Sequence, residues 1–591
     1  MVLPLSLCAQ HKQNRDSMYH KIEDFSKKSK VSKFLYRLVF RNVPDSAVVP
    51  EAKDRYNEKY TDLKIRNIKI TTVDPLGFNS DMTVKSNRWF ENLGNNVHIK
   101  TREFIVKHYL LFEKGDPYNV QKMYESERLL RNTRFINRVS ISPIDSSIAN
   151  DSIDIQINVL DSWSLEPSLN YSGKRIGLGI TEQNFFGLGH ELSLAYRNDY
   201  GNKKVYRSAA YKAQNLFGTY IDTEVFAEKD YDKNENVYLR GSRAFYSTFT
   251  KWAGGIGLDY YKRLIQVPVE GMNGKDFPTT LIKANNQDFW GGYQFGLNEK
   301  NGVLTQNLGV AARFQNFIYM DSPDDSIDPY NFIDSYNLFL GSISFSERKF
   351  SVERNIFQFD LPEDVPYGKL FSITGGVARL KGNSYPYAGV SGSMGAFIKG
   401  SYVSGSAAYG SFFRESKNFR STLRLDATYF SPLQEWDFAT ARHFFSPSLV
   451  LGNNRNPSYF DRVNLSATNE FPAYDANYVG RNKLVLRYQL QLFIKKPWKN
   501  FHFNPYLITT LGWLSIDHKK MFSSPLQSKF GLGILIHNPY LSFSRLQISL
   551  VYYPKVPFDN NSVFDFNSYK NYQIPIQNYR IEEPSIVNYG Y

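Results

Sequence analysis

The segment His190-Glu-Leu-Ser-Leu-Ala-Tyr-Arg-Asn-Asp199 decides the fold class, because its apolar residues Leu192, Leu194 and Tyr196 lie two positions apart. A period of two places them on one face of a β-strand. Segments with the same alternation recur along the chain, separated by Gly, Asn, Asp and Lys. They include 206–212, 221–228, 252–261, 370–380, 420–429, 483–493, 501–513, 529–537 and 543–553.

The length of these segments predicts how they are used. A tilted strand needs about 9–11 residues to cross a bilayer. We therefore predict a mainly β protein in which residues 165–555 form a transmembrane antiparallel β-barrel. At roughly 22–24 residues for each strand and its connection, this segment holds about 16 strands, with 18 as the alternative even number.

The composition is compatible with two kinds of all-β protein. The 591 residues include 41 Tyr and 45 Phe, whereas apolar residues total only 42%. A membrane barrel has aromatic girdles and a polar lumen, which accounts for both values. Composition alone leaves a large soluble β protein as the alternative. The sequence contains no run of about 18 apolar residues, so no transmembrane helix is predicted.

The basic residues do not indicate nucleic-acid binding. The formal net charge is +14, but Lys and Arg are scattered along the chain and alternate with aromatic residues, as in residues 240–246. A nucleic-acid interface would gather them on one face. We predict that they line the lumen and the loops, and we expect no nucleic-acid partner.

The N-terminal residues predict an exported protein. Residues 1–10 are apolar with a small residue near the end, and we interpret them as the remnant of a signal peptide that is cleaved near Ala9. A lipobox is disfavoured because Leu7 precedes Cys8. Cys8 is the only cysteine, which excludes an intramolecular disulfide. Residues 11–60 form a polar, basic extension, in which 27–39 predicts either an amphipathic helix or a partly ordered segment.

Residues 62–161 predict a small α/β domain. Residues 63–73 alternate as a half-buried strand, and residues 101–112 have a helical apolar face with Thr101 as the expected N-cap. A second helix is expected over 119–132, and two strands over 138–144 and 152–160. The predicted order is strand, helix, helix, strand, strand.

Patterns for catalysis or cofactor binding are missing from the sequence. No GxSxG, HExxH or GxxxxGK[ST] motif occurs, and the nine histidines lack metal-ligand spacing. The acid-rich residues 321–328 fit no EF-hand register, and we interpret them as a solvated loop. We expect neither an enzyme nor a bound cofactor or metal.

The α/β element order is followed by Asp161-Ser-Trp163-Ser, then by Gln183-Asn184 and Gly187-Leu-Gly189. This arrangement resembles the junction between the last POTRA domain and the barrel in the BamA/TamA family of outer-membrane assembly proteins. Residues 127–136 are similar to the family's second POTRA helix and the turn after it. The resemblance covers residues 60–555. It implies a junction formed by Asp161, Trp163, Asn184, Gly187 and Gly189. Chains of this family end at the last barrel strand, whereas here a C-terminal tail, 556–591, follows, which either includes the last strand or is an appendage.

The resemblance also implies an extracellular loop with an Arg-Gly-Phe/Tyr motif, whose arginine pairs with a Glu and an Asp on the next two strands. Here the loop is predicted over residues 452–480, and the motif position holds Glu470, Phe471 and Pro472 without Arg-Gly. The positions of the two acids hold Gln489 and Thr510. We therefore expect a loop that no arginine–carboxylate cluster pins in the lumen, and that makes its contacts there through Phe471, Tyr474 and Tyr478 and neutral hydrogen bonds. The alternative is that Arg455, Arg462 or Arg481 replaces the missing arginine from another register.

The function that the resemblance implies is assembly, insertion or translocation at the cell outer membrane, with the POTRA-like domain in the periplasm. Unfolded clients would add a strand to that domain and leave through a seam in the barrel. The implied partners are outer-membrane lipid, unfolded β-barrel clients or another translocated protein, and periplasmic or lipoprotein subunits. The alternative is a non-insertase pore or scaffold that keeps the fold but lacks the Arg-Gly-Phe/Tyr contact between the loop and the strands.

Overall fold

A computed structural model gives the fold. It describes residues 58–75, 98–172, 175–267, 277–299, 303–330, 332–357, 359, 362–415, 417–466, 470–475, 477–498, 501–516, 520–537, 546–558, 561–566 and 574–590. The predicted signal remnant, residues 1–10, lies outside this part of the chain. So does the predicted N-terminal extension, except for residues 58–60, which form a short 3-10 turn.

The N-terminal part of the described chain is an α/β unit of three strands and two helices. Its elements are β1 (Lys64–Val73), α1 (Glu103–Lys107), α2 (Val120–Arg131), β2 (Ile136–Ala149) and β3 (Ser152–Asp161). The sheet order is β1-β3-β2, with β1 parallel and β2 antiparallel to the central strand. The predicted element order for residues 62–161 is therefore present.

The two helices begin differently from one another. Asn119 caps α2, because its side chain accepts a hydrogen bond from the Lys122 backbone N–H at 2.9 Å. Thr101 was expected to cap the first helix, but that expectation is wrong, since α1 begins at Glu103 with Arg102 at the N-cap position. The Thr101 hydroxyl instead contacts the barrel, as described below.

The core of the α/β unit lies between the sheet and the helices. It combines strand residues that alternate in sequence with apolar residues of both helices, among them Ile65, Ile141, Ile155, Val106 and Leu130. Ile65 is 1% exposed, whereas its neighbour on the same face, Ile68, is only partly buried against the cluster.

We predict that Ile65→Asp lowers the free energy of unfolding of the α/β unit by about 1.5–3 kcal/mol, because a fully buried aliphatic side chain contributes that much. Ile68→Asp should have a smaller effect, and Lys69→Asp, at an exposed position of the same strand, should be nearly neutral. Urea denaturation of a soluble fragment, residues 58–161, followed by circular dichroism, measures the difference. A wild-type fragment without cooperative unfolding would count against this domain boundary.

The rest of the chain is mainly β. Its strands are β4 (Leu165–Ser172), β5 (Arg175–Phe185), β6 (His190–Asp199), β7 (Lys204–Ala213), β8 (Asp222–Lys229), β9 (Glu235–Arg243), β10 (Trp252–Gln266), β11 (Thr279–Leu297), β12 (Gln306–Asp321), β13 (Tyr336–Glu353), β14 (Glu363–Leu380), β15 (Asn383–Ile398), β16 (Ser401–Arg414), β17 (Lys417–Phe430), β18 (Gln434–Glu435), β19 (Ala439–Asn453), β20 (Val463–Asn464), β21 (Val479–Gly480), β22 (Asn482–Ile494), β23 (His502–Leu514), β24 (Gln527–His537), β25 (Leu546–Tyr553) and β26 (Val563–Phe566). Two further 3-10 turns cover Leu216–Gly218 and Met521–Ser523.

These strands form an antiparallel sheet that closes on itself, with β26 beside β4. The two-residue strand β18 continues β17, and both pair with β19. In the described residues, β20 and β21 pair only with each other. The predicted barrel is confirmed, and among the described residues 20 strands go around it. The predicted number of 16 or 18 was too low, because β4 to β9 are short strands with short connections.

The barrel wall has an apolar outer face and a polar inner face. On β13, Ile343 is 59% exposed, whereas its neighbours Ser342 and Ser344 are buried inside. Leu194 and Tyr196 on β6 are likewise exposed. This inversion of the soluble pattern is that of a barrel whose outer face contacts lipid. None of the described helices is long and apolar enough to cross a membrane.

The α/β unit lies at one end of the barrel. It contacts the connections β5–β6, β7–β8, β9–β10 and β11–β12, because consecutive hairpins alternate between the two ends. The connections formed by residues 322–335 and 454–481 lie at the other end. Strand β26 falls within the predicted tail, residues 556–591, and residues 574–590 return into the barrel without forming a strand.

Candidate functional site

The first part of the site is the junction between the α/β unit and the barrel. Asp161, the last residue of β3, is fully buried, and its carboxylate accepts a hydrogen bond from the Thr101 backbone N–H at 2.7 Å. The same carboxylate oxygen lies 3.0 Å from Nε2 of His98. A buried carboxylate needs such partners, so Asp161 fixes the segment before α1 against the end of β3.

Asn184 joins that segment to the barrel. Its side-chain amide donates to the Thr101 hydroxyl at 3.0 Å and to the Ile99 carbonyl at 3.2 Å, while its oxygen accepts from the Gly189 N–H at 2.8 Å. Thr101 is therefore held by Asp161 through its main chain and by Asn184 through its side chain. These contacts explain why it does not cap α1.

Gly187 and Gly189 allow the turn between β5 and β6 to approach the α/β unit closely. Both have positive φ values, +72° and +66°, which glycine adopts without strain. A Cβ on Gly189 would lie 2.5 Å from the Phe135 ring, and one on Gly187 would collide with the Lys100 carbonyl. The Gly187 carbonyl also accepts a hydrogen bond from the Arg102 N–H at 3.1 Å.

Trp163 lies in the linker that leads from β3 into the barrel. Its indole N–H donates to the Leu165 carbonyl at 2.8 Å, and the side chain is 7% exposed. The structure thus places all of the sequence-predicted junction residues where the α/β unit meets the barrel.

A second contact between the unit and the barrel was missed by the sequence reasoning. Arg131 of α2 forms two hydrogen bonds with the Asp364 carboxylate of β14, at 2.9 and 3.0 Å. Tyr124 donates to the same carboxylate at 3.1 Å. Burial, and then the charge of Asp364, raises the pKa of the Tyr124 hydroxyl, so that it stays a neutral donor. The partners lie 233 residues apart, and no local pattern indicates the pair.

Helix α2 lies across the barrel mouth on this side. Arg128 donates to the Tyr246 carbonyl in the β9–β10 connection at 3.0 Å, and its guanidinium lies 4.2 Å from the centre of the Phe350 ring. Gln121 donates to the Leu304 carbonyl at 2.6 Å. Helix α2 therefore docks on the barrel through side chains that would face solvent if the α/β unit stood alone.

We predict that Arg131→Lys loosens α2 from the barrel, because lysine cannot make the paired hydrogen bonds of a guanidinium. The loss of a charge-assisted hydrogen bond should weaken docking by about 1.5–3 kcal/mol. Hydrogen–deuterium exchange of the full chain in detergent should show faster exchange in residues 120–131. The control is Arg134→Lys, since Arg134 pairs with Glu191 of the barrel through a 66% exposed side chain. Equal exchange in the two variants would contradict the role of the Arg131 contact.

The second part of the site is the connection between β19 and β22, residues 454–481, which we call the lumen loop. Glu470 in this loop is 4% exposed, and its carboxylate lies 2.7 Å from Nη2 of Arg487 and 3.2 Å from Nζ of Lys483, both on β22. Its main-chain carbonyl accepts a short hydrogen bond from the Lys529 ammonium on β24. A buried acid of the loop is thus surrounded by cations of the wall.

The expectation that no arginine–carboxylate cluster pins the loop is therefore wrong, because Arg487 pairs with Glu470. An ion-pair cluster holds it, but the acid stands on the loop and the bases stand on the strands. The sequence search looked for an arginine in the loop. Arg455 of the loop does pair with a carboxylate, but its partner is Asp461 in the same loop. The sequence pattern that indicates this cluster is the occurrence of three basic residues at inward-facing positions of two strands, namely Lys483, Arg487 and Lys529.

The remaining predicted loop residues lie around this cluster. Phe471 is fully buried and packs against Tyr474, with ring centres 4.8 Å apart. Tyr474 donates to the Gln527 amide oxygen at 2.9 Å, and the Gln527 amide donates to the Tyr478 hydroxyl at 3.2 Å. The predicted aromatic and neutral contacts are thus present beside the ion pairs. Pro472 is exposed.

Gln489 and Thr510, the residues at the expected acid positions, face inward. Both are nearly buried, at 3% and 2% exposure. Thr510 lies opposite Arg487 on one neighbouring strand and opposite Lys529 on the other. Gln489 is two residues further along β22, beside Gln491. The neutral Thr510 therefore lies between two of the cations that surround Glu470.

We predict that Glu470→Gln lowers the stability of the barrel by about 3 kcal/mol, because Lys483 and Arg487 then lose the buried carboxylate with which they pair. The measurement is the temperature at which the folded barrel shifts on a semi-native gel, together with protease cleavage of the lumen loop. Asp475→Asn is the matched control, since Asp475 is an exposed acid of the same loop. If the two variants melt together, the cluster does not pin the loop.

Within the described ranges, no three His, Cys, Asp or Glu side chains lie close enough together to hold a metal ion.

Comparison with known proteins gives structural matches only. Neither a protein-family profile nor a curated protein sequence matches the chain. BamA from Haemophilus ducreyi lacking POTRA domains 1–3 is 11% identical, with 85% of this chain and 84% of that chain covered and a TM-score of 0.35. CdiB from Acinetobacter baumannii is also 11% identical, with coverage of 94% and 99% and a TM-score of 0.39.

The siderophore receptor PirA from Pseudomonas aeruginosa is similar to a comparable degree, with 9% identity, coverage of 73% and 79% and a TM-score of 0.37. Such low identities and TM-scores carry no argument about function. The functional conclusion therefore rests on the geometry of this chain.

Proposed function

We propose that this protein is an assembly, insertion or translocation factor of the cell outer membrane, similar to the BamA/TamA family. Its α/β unit is a POTRA-like domain on the periplasmic side, and its barrel releases unfolded clients through the seam between β26 and β4. The observation that carries the proposal is how little pairing the closing strand makes in the described residues.

In the part of the chain that the structure describes, strand β26 spans Val563–Phe566 and pairs with β25 over these four residues. On the opposite wall, β13 and β14 have 18 residues each and pair throughout. A strand needs about 9–11 residues to cross a bilayer. Because backbone hydrogen bonds hold a barrel closed, the β26 side opens most readily. An incoming client strand would meet the least competition there.

The α/β unit offers edges for the first contact with a client. In the described residues, β1 and β2 each have one partner strand, β3, although the start of β1 also exchanges backbone hydrogen bonds with residues 115–118. The rest of each outer edge can add a strand. Glu127 of α2 accepts a hydrogen bond from the Ile141 N–H and covers the middle of β2. The exposed residues near the end of β2, from Asp145 onward, remain for pairing.

The junction supports transfer from the unit to the barrel. Asp161, Asn184 and the Arg131–Asp364 pair hold the unit at the barrel mouth, so a client bound at its edge is already at the barrel. Outer-membrane lipid, unfolded clients and periplasmic or lipoprotein subunits are the partners that we propose. Backbone pairing drives the process, and we propose no catalytic step.

The alternative, a non-insertase pore or scaffold, was motivated by the missing Arg-Gly-Phe/Tyr contact between the loop and the strands. The contacts of Glu470 with Lys483 and Arg487 weaken this motive, because an ion-pair cluster holds the lumen loop after all. An acid on the loop and bases on the wall attract each other as strongly as a base on the loop and acids on the wall, because exchanging both charges leaves the Coulomb energy unchanged.

Depletion of the protein tests the proposed function. Levels of other outer-membrane β-barrels should fall, and wild type or Asp475→Asn should restore them better than Glu470→Gln. Unchanged barrel levels, with a purified barrel that conducts a solute, would favour the pore.

A photoreactive residue tests the seam. In place of Phe564 of β26 it should crosslink to clients, because this side chain is 67% exposed toward lipid at the seam. In place of Ile343, which is 59% exposed but far from the seam on β13, it should not. Equal crosslinking at both positions would rule out release at the seam.

A further inference from the structure

Residues 574–590, here called the C-terminal segment, run through the barrel lumen from one end to the other. Ile574 and Ile576 pack with Tyr402, Phe430 and a residue of the β13–β14 connection, at the end that carries the α/β unit. At the opposite end Tyr589 lies beside the lumen loop, with its ring 3.8 Å from the Arg455 guanidinium carbon.

The wall residues that touch the segment are inward-facing. On β12, Leu308 and Val310 are exposed outside, and Gly309 between them meets Ile581. On β17, Tyr429 is exposed outside, whereas its neighbour Thr428 is buried and contacts the segment. The alternation of each strand therefore places the segment inside the barrel.

The wall holds the main chain of the segment with side chains from several strands. Ser346 donates to the Tyr579 carbonyl at 2.6 Å, and Thr428 donates to the Pro575 carbonyl at 2.6 Å. Two further contacts are Arg313 to the Pro584 carbonyl, at 3.1 Å, and the Val587 N–H to the Tyr387 hydroxyl, at 2.8 Å. Contacts to main-chain groups tolerate many sequences, because every residue offers the same groups.

Glycines of the wall leave room for the side chains of the segment. A Cβ at Gly309 would lie 2.6 Å from Cδ1 of Ile581, and one at Gly410 would lie 3.0 Å from Cγ2 of Val587. Gly452 and Gly395 similarly make room for the Tyr589 and Tyr579 side chains. Among the residues of the segment, Tyr579, Ile581 and Tyr589 are the largest buried side chains, at 1%, 2% and 7% exposure.

The segment is held without strand pairing. None of residues 574–590 belongs to a strand, so their removal breaks no hydrogen bond of the barrel ladder. The barrel strands pair with each other independently of it.

We propose that the lumen wall is a binding site for an extended, unfolded polypeptide, and that the C-terminal segment occupies this site in the resting protein. This inference rests on the proposed function and names a second place where a client binds. The client segment carries aromatic or branched apolar side chains at the spacing of Tyr579, Ile581 and Tyr589. It displaces the C-terminal segment when it enters the lumen.

The first experiment uses a labelled peptide with the sequence of residues 574–590. It should bind the purified barrel that lacks residues 574–591, and it should bind the full chain much more weakly, because the segment competes in cis. A peptide with alanine at the positions of Tyr579, Ile581 and Tyr589 should bind at least about tenfold more weakly. Absence of peptide binding to the folded, truncated barrel overturns the proposal.

The second experiment uses the full chain, and it does not depend on the folding of the truncated form. In a Cys8→Ser background, Ile581→Cys should react with a soluble maleimide several-fold faster when the peptide is added. Labelling that the peptide does not change overturns the proposal.

A disulfide provides the matched control. The Cβ of Gly309→Cys would lie 3.2 Å from the Cγ2 position of Ile581, within reach of a disulfide to Ile581→Cys. Oxidation should abolish peptide binding to the double variant and reduction should restore it. Binding that persists in the oxidised form overturns the proposal.

The depletion experiment measures the assembly of other barrels in cells, whereas the peptide experiments measure binding in the lumen. The proposed function and the proposed lumen site can therefore fail independently of one another. If the peptide binds as expected but depletion leaves other barrels unchanged, the assembly function fails and the lumen site stands. If depletion lowers barrel levels and the peptide does not bind, the lumen site fails and the assembly function stands.

Discussion

The structure depends on one constraint, that backbone N–H and C=O groups facing lipid must all be paired within the protein. An antiparallel sheet meets this requirement only when it closes, and here closure brings β26 beside β4. Long strands such as β13 and β14 meet it with many hydrogen bonds, while the described residues of β26, Val563–Phe566, supply few. Among the described residues, pairing is therefore weakest where the first and last barrel strands, β4 and β26, lie side by side.

Closure also creates a confined polar interior in which charges need partners. Glu470 sits among Lys483, Arg487 and Lys529, and any one of these groups alone would be costly to bury. What matters is that the charges on the loop and on the wall are opposite, since the attraction is the same when the two signs are exchanged. An acid on the loop with bases on the wall can therefore hold the loop as an arginine with two wall acids would.

The same interior contains the C-terminal segment and the lumen loop together. Tyr589 donates to the Arg481 carbonyl at the end of the loop, and its ring stacks on Arg455, which pairs with Asp461. Loop and segment thus share partners at one end of the barrel, while α2 covers the other end through Arg128 and Gln121. Release of the segment would free contacts that also order the loop.

The sequence by itself determined the features that depend on local pattern. Alternation in His190–Asp199 and similar segments predicted the barrel, and the element order predicted the α/β unit. The resemblance to the BamA/TamA family, and not the local pattern, indicated Asp161, Asn184 and Gly187 as junction residues. Only the tertiary structure decided the strand number, the ion pairs of Glu470 and the position of residues 574–590. Periodicity is fixed by neighbouring residues, whereas these features join positions far apart in the chain, and only closure of the sheet determines which inward-facing side chains meet.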